Sequence, residues 1–275
     1  MTDGAPEPRP SSLAERLASL TPARVGLGRT GASLTTREVL RFQLAHARAR
    51  DAVHVALDTE ALATGIAALG QTVERVETAA IRRELYLRRP DLGRKLTTQS
   101  AERLDRLRRD GFDVAIVVAD GLSSQAVASH AVPLLARLLP KIEQIGLTLA
   151  PIVIAEGARV ALGDEVGQRL GARLVLVLIG ERPGLSSPDS LGAYITYAPR
   201  VERTDAERNC VSNIRPDGLD VETASFKIAW LIAAAFAAGM SGVRLKDESD
   251  RQDLLAQQSR TDRQDFDSVE VGESN

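Results

Sequence analysis

Residues 174–179 read Leu-Val-Leu-Val-Leu-Ile, and the chain then turns into Gly180-Glu181-Arg182-Pro183-Gly184. A short, continuous apolar run is typical of a strand that helices cover on both faces. Such a strand delivers its charged loop to the carboxyl edge of an open α/β sheet, where these sheets bind ligands. The two glycines would let a bulky ligand approach the backbone closely. The stretch therefore predicts a parallel sheet with a ligand site that includes Glu181.

A second buried strand is predicted at residues 113–119, which read Asp-Val-Ala-Ile-Val-Val-Ala. It ends at Asp-Gly-Leu-Ser (residues 120–123), so a second polar loop would follow a strand of the same kind. The apolar pattern of residues 123–145 predicts the next helix. Pro133 and Pro140 should break or kink this helix, because each proline removes a helical hydrogen bond.

The remaining periodicity sets the fold class. Strands are predicted at residues 149–154 and 194–197, with a helix around residues 163–170. Three helices are predicted earlier in the chain, at residues 35–50, 59–69 and 90–109. Alternating strands and helices indicate right-handed βαβ crossovers and a parallel sheet. The predicted fold is α/β, with a Rossmann-like, mostly parallel sheet flanked by helices and preceded by a helical N-terminal portion.

Composition divides the chain into four parts. Residues 1–22 are predicted to form a flexible arm with a short amphipathic helix, in which Leu13, Leu17 and Leu20 share one face. That helix would dock onto the chain's own body or a subunit, or act as a packaging signal for a protein compartment. The other parts are a helical N-terminal portion, an α/β domain and a disordered acidic tail, at residues 23–110, 111–246 and 247–275.

Charge and cysteine content limit the classes of partner. The chain has 35 basic and 37 acidic residues among 275, so no overall field attracts nucleic acid or an anionic membrane, and neither is expected as a partner. Cys210 is the only cysteine, which leaves no internal disulfide or Cys-x-x-Cys metal site and indicates the cytoplasm. The most apolar helical segment, residues 228–240, is shorter than the ~20 residues that span a bilayer and is predicted as a core helix.

Two motifs suggest other functions and fail on context. Residues 26–31 match the dinucleotide pattern G-x-G-x-x-G, with Asp51 at the distance of a ribose-binding acid, but no strand precedes the first glycine. A nucleotide-dependent oxidoreductase is therefore the weakest alternative. Residues 82–95 are rich in arginine, yet Tyr86 is the only aromatic residue among them, so a subunit contact or phosphate-facing surface is favoured over nucleic-acid binding.

Possible nucleophiles lack support in the sequence. Cys210 would need a nearby base, and the histidines, at positions 46, 54 and 130, are distant in sequence. Ser123 lacks the G-x-S-x-G setting of a hydrolase and is explained equally well as a helix cap. No catalytic residue and no metal ligand are therefore predicted in this chain.

Six segments, in this order and spacing, resemble the small subunit of ethanolamine ammonia-lyase. They are residues 23–52, 86–96, 113–125, 156–184, 190–200 and 208–214, and the resemblance covers about residues 22–245. It implies one subunit of a hetero-oligomeric, adenosylcobalamin-dependent lyase that converts ethanolamine to acetaldehyde and ammonia by a radical mechanism. A large subunit, a (β/α)₈ barrel, would hold most of the substrate.

The resemblance also carries cofactor contacts onto three residues. They are Val160 in Gly-Ala-Arg-Val, Glu181 in Gly-Glu-Arg-Pro-Gly, and Cys210 in Asn-Cys-Val-Ser-Asn. Glu181 can accept hydrogen bonds from corrin amides or a ribose hydroxyl, while Val160 and Cys210 offer small apolar surfaces to a flat ligand. No Asp-x-His-x-x-Gly motif is present, so a base-on cofactor is expected.

A different class of function remains open beside the lyase subunit. The chain could be a non-catalytic α/β ligand-binding module that stabilises a partner protein. The expected location is the cytoplasm, with a bacterial microcompartment as the setting if the N-terminal helix is a packaging signal.

Overall fold

The computed structural model describes residues 13–21, 23–27 and 29–250. The predicted arm before residue 13 and the predicted tail after residue 250 lie outside them. The described helices are α1 Leu13–Leu20, α2 Thr36–His54, α3 Thr59–Ala67, α4 Arg83–Arg88, α5 Thr98–Leu107, α6 Ser124–Gln144, α7 Leu162–Leu170 and α8 Val221–Ala238. The described strands are β1 Arg29–Thr30, β2 Ser33–Leu34, β3 Val73–Glu77, β4 Val114–Ala119, β5 Ile152–Glu156, β6 Leu174–Gly180, β7 Leu191–Tyr197 and β8 Arg208–Ile214.

A six-stranded, mostly parallel sheet confirms the predicted α/β class. Its order is β3-β5-β4-β6-β7-β8, and the first four strands are parallel. Strands β7 and β8 join antiparallel, which the sequence did not predict. The link from β6 to β7 contains no helix and is shorter than the dozen or more residues that a parallel crossover needs. The sheet therefore reverses direction after β6.

The two buried central strands separate two apolar cores. Every residue of β4 and β6 is buried, as their continuous apolar sequences predict. Because successive side chains alternate between faces, Val114, Ile116 and Val118 enter one core, and Ala115 and Val117 enter the other. Helices α3, α6 and α8 cover the first face, and α5 and α7 cover the second.

Two predicted helices differ from those observed. Helix α6 continues through Pro133 and Pro140, so the predicted break is absent. Helix α8 starts at Val221 rather than residue 228, and it is long and apolar enough to cross a membrane by length and composition, with 39% of that stretch buried in the protein. Its buried residues, including Ile228 and Ile232, pack in the first core, as predicted for a core helix.

The N-terminal portion contains a strand that the sequence analysis missed. Strand β3 reads Val-Glu-Arg-Val-Glu and lies at the edge of the sheet, parallel to β5. Three of its five residues are charged, because an edge strand has less surface to bury, and the apolar signal is weak. Strand β8 and helix α4 were missed as well. The division of the chain into four parts stays a prediction.

The first helix forms as predicted, with its apolar face uncovered. Leu13, Leu17 and Leu20 of α1 are 71%, 44% and 81% exposed, so the described residues do not provide the predicted groove. Gly31 of the dinucleotide-like motif lies in the turn of the β1–β2 hairpin, and no described strand precedes that motif. The motif therefore lacks the strand-to-helix setting that nucleotide binding needs.

Candidate ligand cleft at the carboxyl edge of the sheet

A cleft of about 440 Å³ opens beside the carboxyl ends of β4 and β6. Leu122 and Glu181 line it from the loops that follow these strands, and Arg159 and Val160 line it from the loop after β5. Tyr194 contributes from β7. The cleft therefore occupies the edge at which open parallel sheets bind ligands.

Two of the three predicted cofactor residues line this cleft, and the third lies beside a residue of its wall. Val160 and Glu181 both line it. Cys210 is paired across the β7–β8 ladder with Tyr194, which also lines the cleft. A larger cavity of about 600 Å³ lies toward β3, between charged residues that include Glu77 and Glu156, but it is lined by none of the three predicted residues.

Two neighbouring strands fix the Glu181 carboxylate. Oε2 accepts hydrogen bonds from the Ser190 hydroxyl, at 2.5 Å, and from the Asn213 backbone N–H, at 3.1 Å. The Glu181 backbone N–H also donates to the Ser190 carbonyl at 2.9 Å. No described residue donates to Oε1, so the protein orients one carboxylate oxygen and leaves the other without a hydrogen-bond donor.

The side chains of Tyr194 and Cys210 lie near Glu181 and are uncharged at neutral pH. Desolvation raises the pKa of the Tyr194 hydroxyl well above its ordinary value, with further contributions from Cys210 and Glu181. Desolvation also raises the pKa of the Cys210 thiol, even though the residue is exposed at the surface. A thiol with a raised pKa is protonated at neutral pH and is a poor nucleophile. The raised pKa therefore agrees with the absence of a nucleophile from the predicted site residues.

A buried aspartate holds the loop that carries Val160. Asp120 is 5% exposed, and its Oδ1 accepts a hydrogen bond from the Ala158 backbone N–H at 3.2 Å. Its Oδ2 accepts from Arg83 at 2.7 Å. Burial raises the pKa of Asp120, an effect that Arg83 and the backbone N–H groups oppose. The loop after β4 thereby sets the position of the loop after β5.

Gly180 at the end of β6 lies against the loop after β4 and also lines the cleft. A Cβ on Gly180 would lie 2.0 Å from the Ser123 carbonyl oxygen and 2.6 Å from that of Asp120. A Cβ on Gly184 would meet the Ser187 hydroxyl oxygen at 2.7 Å within the same loop. Gly180 thus allows close packing of the chain itself, and the interpretation that the two glycines leave room for a ligand stays a prediction.

Tyr86 supports the cleft from the arginine-rich segment. Its ring is fully buried, its hydroxyl donates to the Ala158 carbonyl at 3.0 Å, and burial raises its pKa to about 12. The guanidinium carbons of Arg83 and Arg159 lie 5.1 Å and 4.6 Å from the ring centroid. Part of the predicted basic cluster is therefore structural, because it packs on a buried tyrosine.

Sequence reasoning missed Arg159, Ser190 and Tyr194 as site residues. Arg159 precedes Val160 and could have been suspected from that position. Ser190 and Tyr194 gave no signal, because their roles depend on pairing between β6, β7 and β8. Among the described residues, no three His, Cys, Asp or Glu side chains form a group that could hold a metal ion.

Comparisons with known proteins point to one family. Residues 11–246 match the family model "Ethanolamine ammonia-lyase light chain (EutC)". The chain is 56% identical over 244 residues to the protein named ethanolamine ammonia-lyase small subunit in Rhodopseudomonas palustris strain BisA53, covering 89% of this chain and 93% of that one. The protein of the same name in Bradyrhizobium diazoefficiens is 56% identical over 234 residues, or 85% and 90% of the two chains.

Proposed function

Because this chain belongs to the ethanolamine ammonia-lyase light-chain family, we propose that it holds adenosylcobalamin against the large subunit of that lyase. Membership makes the chain a subunit of a lyase that acts in ethanolamine breakdown. The observation that carries the proposal is that Val160 and Glu181 line one cleft, although they are far apart in sequence, and that Cys210 pairs with Tyr194 of its wall. The conversion of ethanolamine to acetaldehyde and ammonia would take place in the assembled enzyme.

The chemistry of the cleft fits part of a corrinoid. Leu122, Val160 and Ile179 provide apolar surface for a flat ring system, and the open Oε1 of Glu181 can accept a hydrogen bond from an amide N–H. A volume of about 440 Å³ takes only part of so large a ligand, so the remainder would face the partner subunit. Bound cofactor would supply the radical chemistry, while these residues bind, orient and exclude water.

Reconstitution is the test of this proposal. Acetaldehyde release from ethanolamine with added adenosylcobalamin is measured for this chain alone, for the cognate large subunit alone, and for the two combined. We expect activity only in the mixture. An assembled mixture that binds adenosylcobalamin but leaves ethanolamine unchanged would contradict the proposed reaction.

A Glu181 variant separates this proposal from the non-catalytic binding module. Glu181→Gln keeps the size of the side chain and removes its charge, so we expect roughly 10-fold weaker adenosylcobalamin binding by the complex. Assembly, measured by size-exclusion chromatography, should be unchanged. Ser186→Ala in the same exposed loop is the matched control, with binding near wild type. Loss of assembly with unchanged cofactor affinity would favour the module that only stabilises a partner.

The positions of the histidines support a base-on cofactor. His46 and His54 lie on α2, and His130 is 7% exposed on α6, where it faces Asp189 at 3.4 Å. None of the three lines the cleft. Electron paramagnetic resonance of the reduced complex, prepared with nitrogen-15 histidine, is expected to show no coupling between cobalt and a protein imidazole. Such a coupling would contradict the base-on assignment.

A further inference from the structure

Arg159 is an arginine of the cleft whose side chain has no polar partner. Its Nε is buried and makes no hydrogen bond, and its guanidinium forms no ion pair with the residues that the structure describes. Its side-chain contact is the Tyr86 ring, at 4.6 Å. Arg83, beside the same ring, differs because it binds Asp120 at 2.7 Å.

Carboxylates of the cleft do not balance this charge. Glu181 is the acidic residue of the cleft wall, and its Oε2 is already bound by Ser190 and Asn213. Arg182 adds a second, exposed guanidinium. The cleft therefore carries one more positive than negative side chain among its lining residues, an arrangement that favours an anion.

The missing hydrogen-bond acceptor at Arg159 indicates an oxyanion as the ligand. The terminal nitrogens of the guanidinium make no hydrogen bond to the residues that the structure describes, so a ligand oxygen at these atoms would gain a charge-assisted hydrogen bond. The planar guanidinium suits two oxygens of a phosphate or carboxylate, and its contact with the buried Tyr86 ring limits its motion before a ligand binds. The proposed cofactor has one such group, the phosphodiester of its nucleotide tail.

We infer that Arg159 binds a phosphate oxygen, and specifically the phosphodiester of adenosylcobalamin. This inference rests on the proposed function, since it names the part of the cofactor that meets this chain. It adds a fourth contact, charged where Val160 and Cys210 are apolar. It also gives the cleft a means to distinguish a complete cobalamin from a corrinoid without the nucleotide tail.

The test compares three corrinoids against variants of the assembled two-subunit complex. Adenosylcobalamin and adenosylcobinamide phosphate carry a phosphate, and adenosylcobinamide carries none. Affinities are measured by equilibrium dialysis, so the readout does not depend on turnover. Arg159→Met removes the charge at similar length, Arg159→Lys keeps a cation over Tyr86, and Arg200→Met, at an exposed arginine outside the cleft, is the matched control.

The inference predicts a selective loss. Arg159→Met should weaken binding of the two phosphate-bearing corrinoids roughly 10- to 100-fold, the range expected for a hydrogen bond to a charged group, with adenosylcobinamide changed less than about 2-fold. Arg159→Lys should lose less, and Arg200→Met should match wild type. The phosphorus NMR shift of bound adenosylcobalamin should also differ between wild type and Arg159→Met.

Other outcomes separate the ways in which the inference can fail. An equal loss for all three corrinoids, with an unchanged phosphorus shift, would assign Arg159 a structural role and overturn the inference. If Arg159→Met abolishes binding of inorganic phosphate by the complex but leaves its affinity for both phosphate-bearing corrinoids unchanged, Arg159 holds a free anion rather than the phosphodiester. If the wild-type complex binds no corrinoid, the proposed function fails as well.

Discussion

Gly180→Ala is expected to lower the free energy of unfolding by about 3 kcal/mol, the upper part of the usual range for overpacking. The new Cβ would lie 2.0 Å from the Ser123 carbonyl oxygen and 2.6 Å from that of Asp120, and both are backbone atoms that no rotamer change can move. Relief of this overlap would separate the loop after β4 from β6 and break the 2.9 Å hydrogen bond from the Leu122 N–H to the Gly180 carbonyl. Urea unfolding of the full-length chain measures the change.

Gly184→Ala is the matched control for this prediction. It makes the same chemical change in the loop after β6, but its Cβ would meet the Ser187 hydroxyl, the end of a side chain that can rotate away. Its effect should stay within about 1 kcal/mol. If the two variants unfold at the same urea concentration, close backbone contact at Gly180 is not what limits stability at this edge.

Asp164→Ala is expected to lower the free energy of unfolding by about 3–5 kcal/mol, because it removes the buried partner of Arg208 and leaves that charge with the exposed Asp205, at 3.3 Å. The Arg208 guanidinium binds the Asp164 carboxylate through two hydrogen bonds, of 2.6 and 2.7 Å, and the two side chains are only 3% and 2% exposed. This pair connects α7 to β8. The control is Asp91→Ala, because the Arg89–Asp91 pair is more than half exposed and should contribute less than about 1 kcal/mol.

A double variant tests the physical reason for that loss. Asp164→Leu combined with Arg208→Met removes both charges and keeps apolar volume, so it should unfold at a higher urea concentration than Asp164→Ala. A double variant that is less stable than Asp164→Ala would show that packing around α7 and β8, rather than the uncompensated charge, explains the single-variant loss.

The parts of the fold that the sequence predicts are those with a strong local signal. Strands β4 and β6 are continuous apolar runs, which are typical of strands that are buried on both faces. Strand β3 has charged residues at three of five positions, so its assignment depends on β5, which is far away in sequence. The antiparallel turn after β6 was missed for a related reason, because residues 194–197 indicate a strand but carry no information on its direction.

Only one residue of the candidate site could be predicted from the sequence without the family resemblance. Glu181 follows a buried strand, and its place at the carboxyl edge of the sheet follows from that pattern. Val160 and Cys210 were assigned by family resemblance, because a valine and a cysteine are ordinary core residues by themselves. Arg159 is significant only once its lack of a partner is seen in three dimensions. Its role could not be read from composition or spacing.

The order of the strands also constrains when the protein can fold during synthesis. Strand β3 has a single neighbour in the sheet, β5, and Val73 pairs there with Ile152. A ribosome that has released β3 must therefore also release β4 and α6 before β5 can pair with β3 in the sheet. Closing so long a loop costs conformational entropy before any contact offsets it. Strand β3 therefore pairs late in synthesis. Strands β4, β5 and β6, which form the centre of the sheet, leave the ribosome one after another and can pair without such a delay.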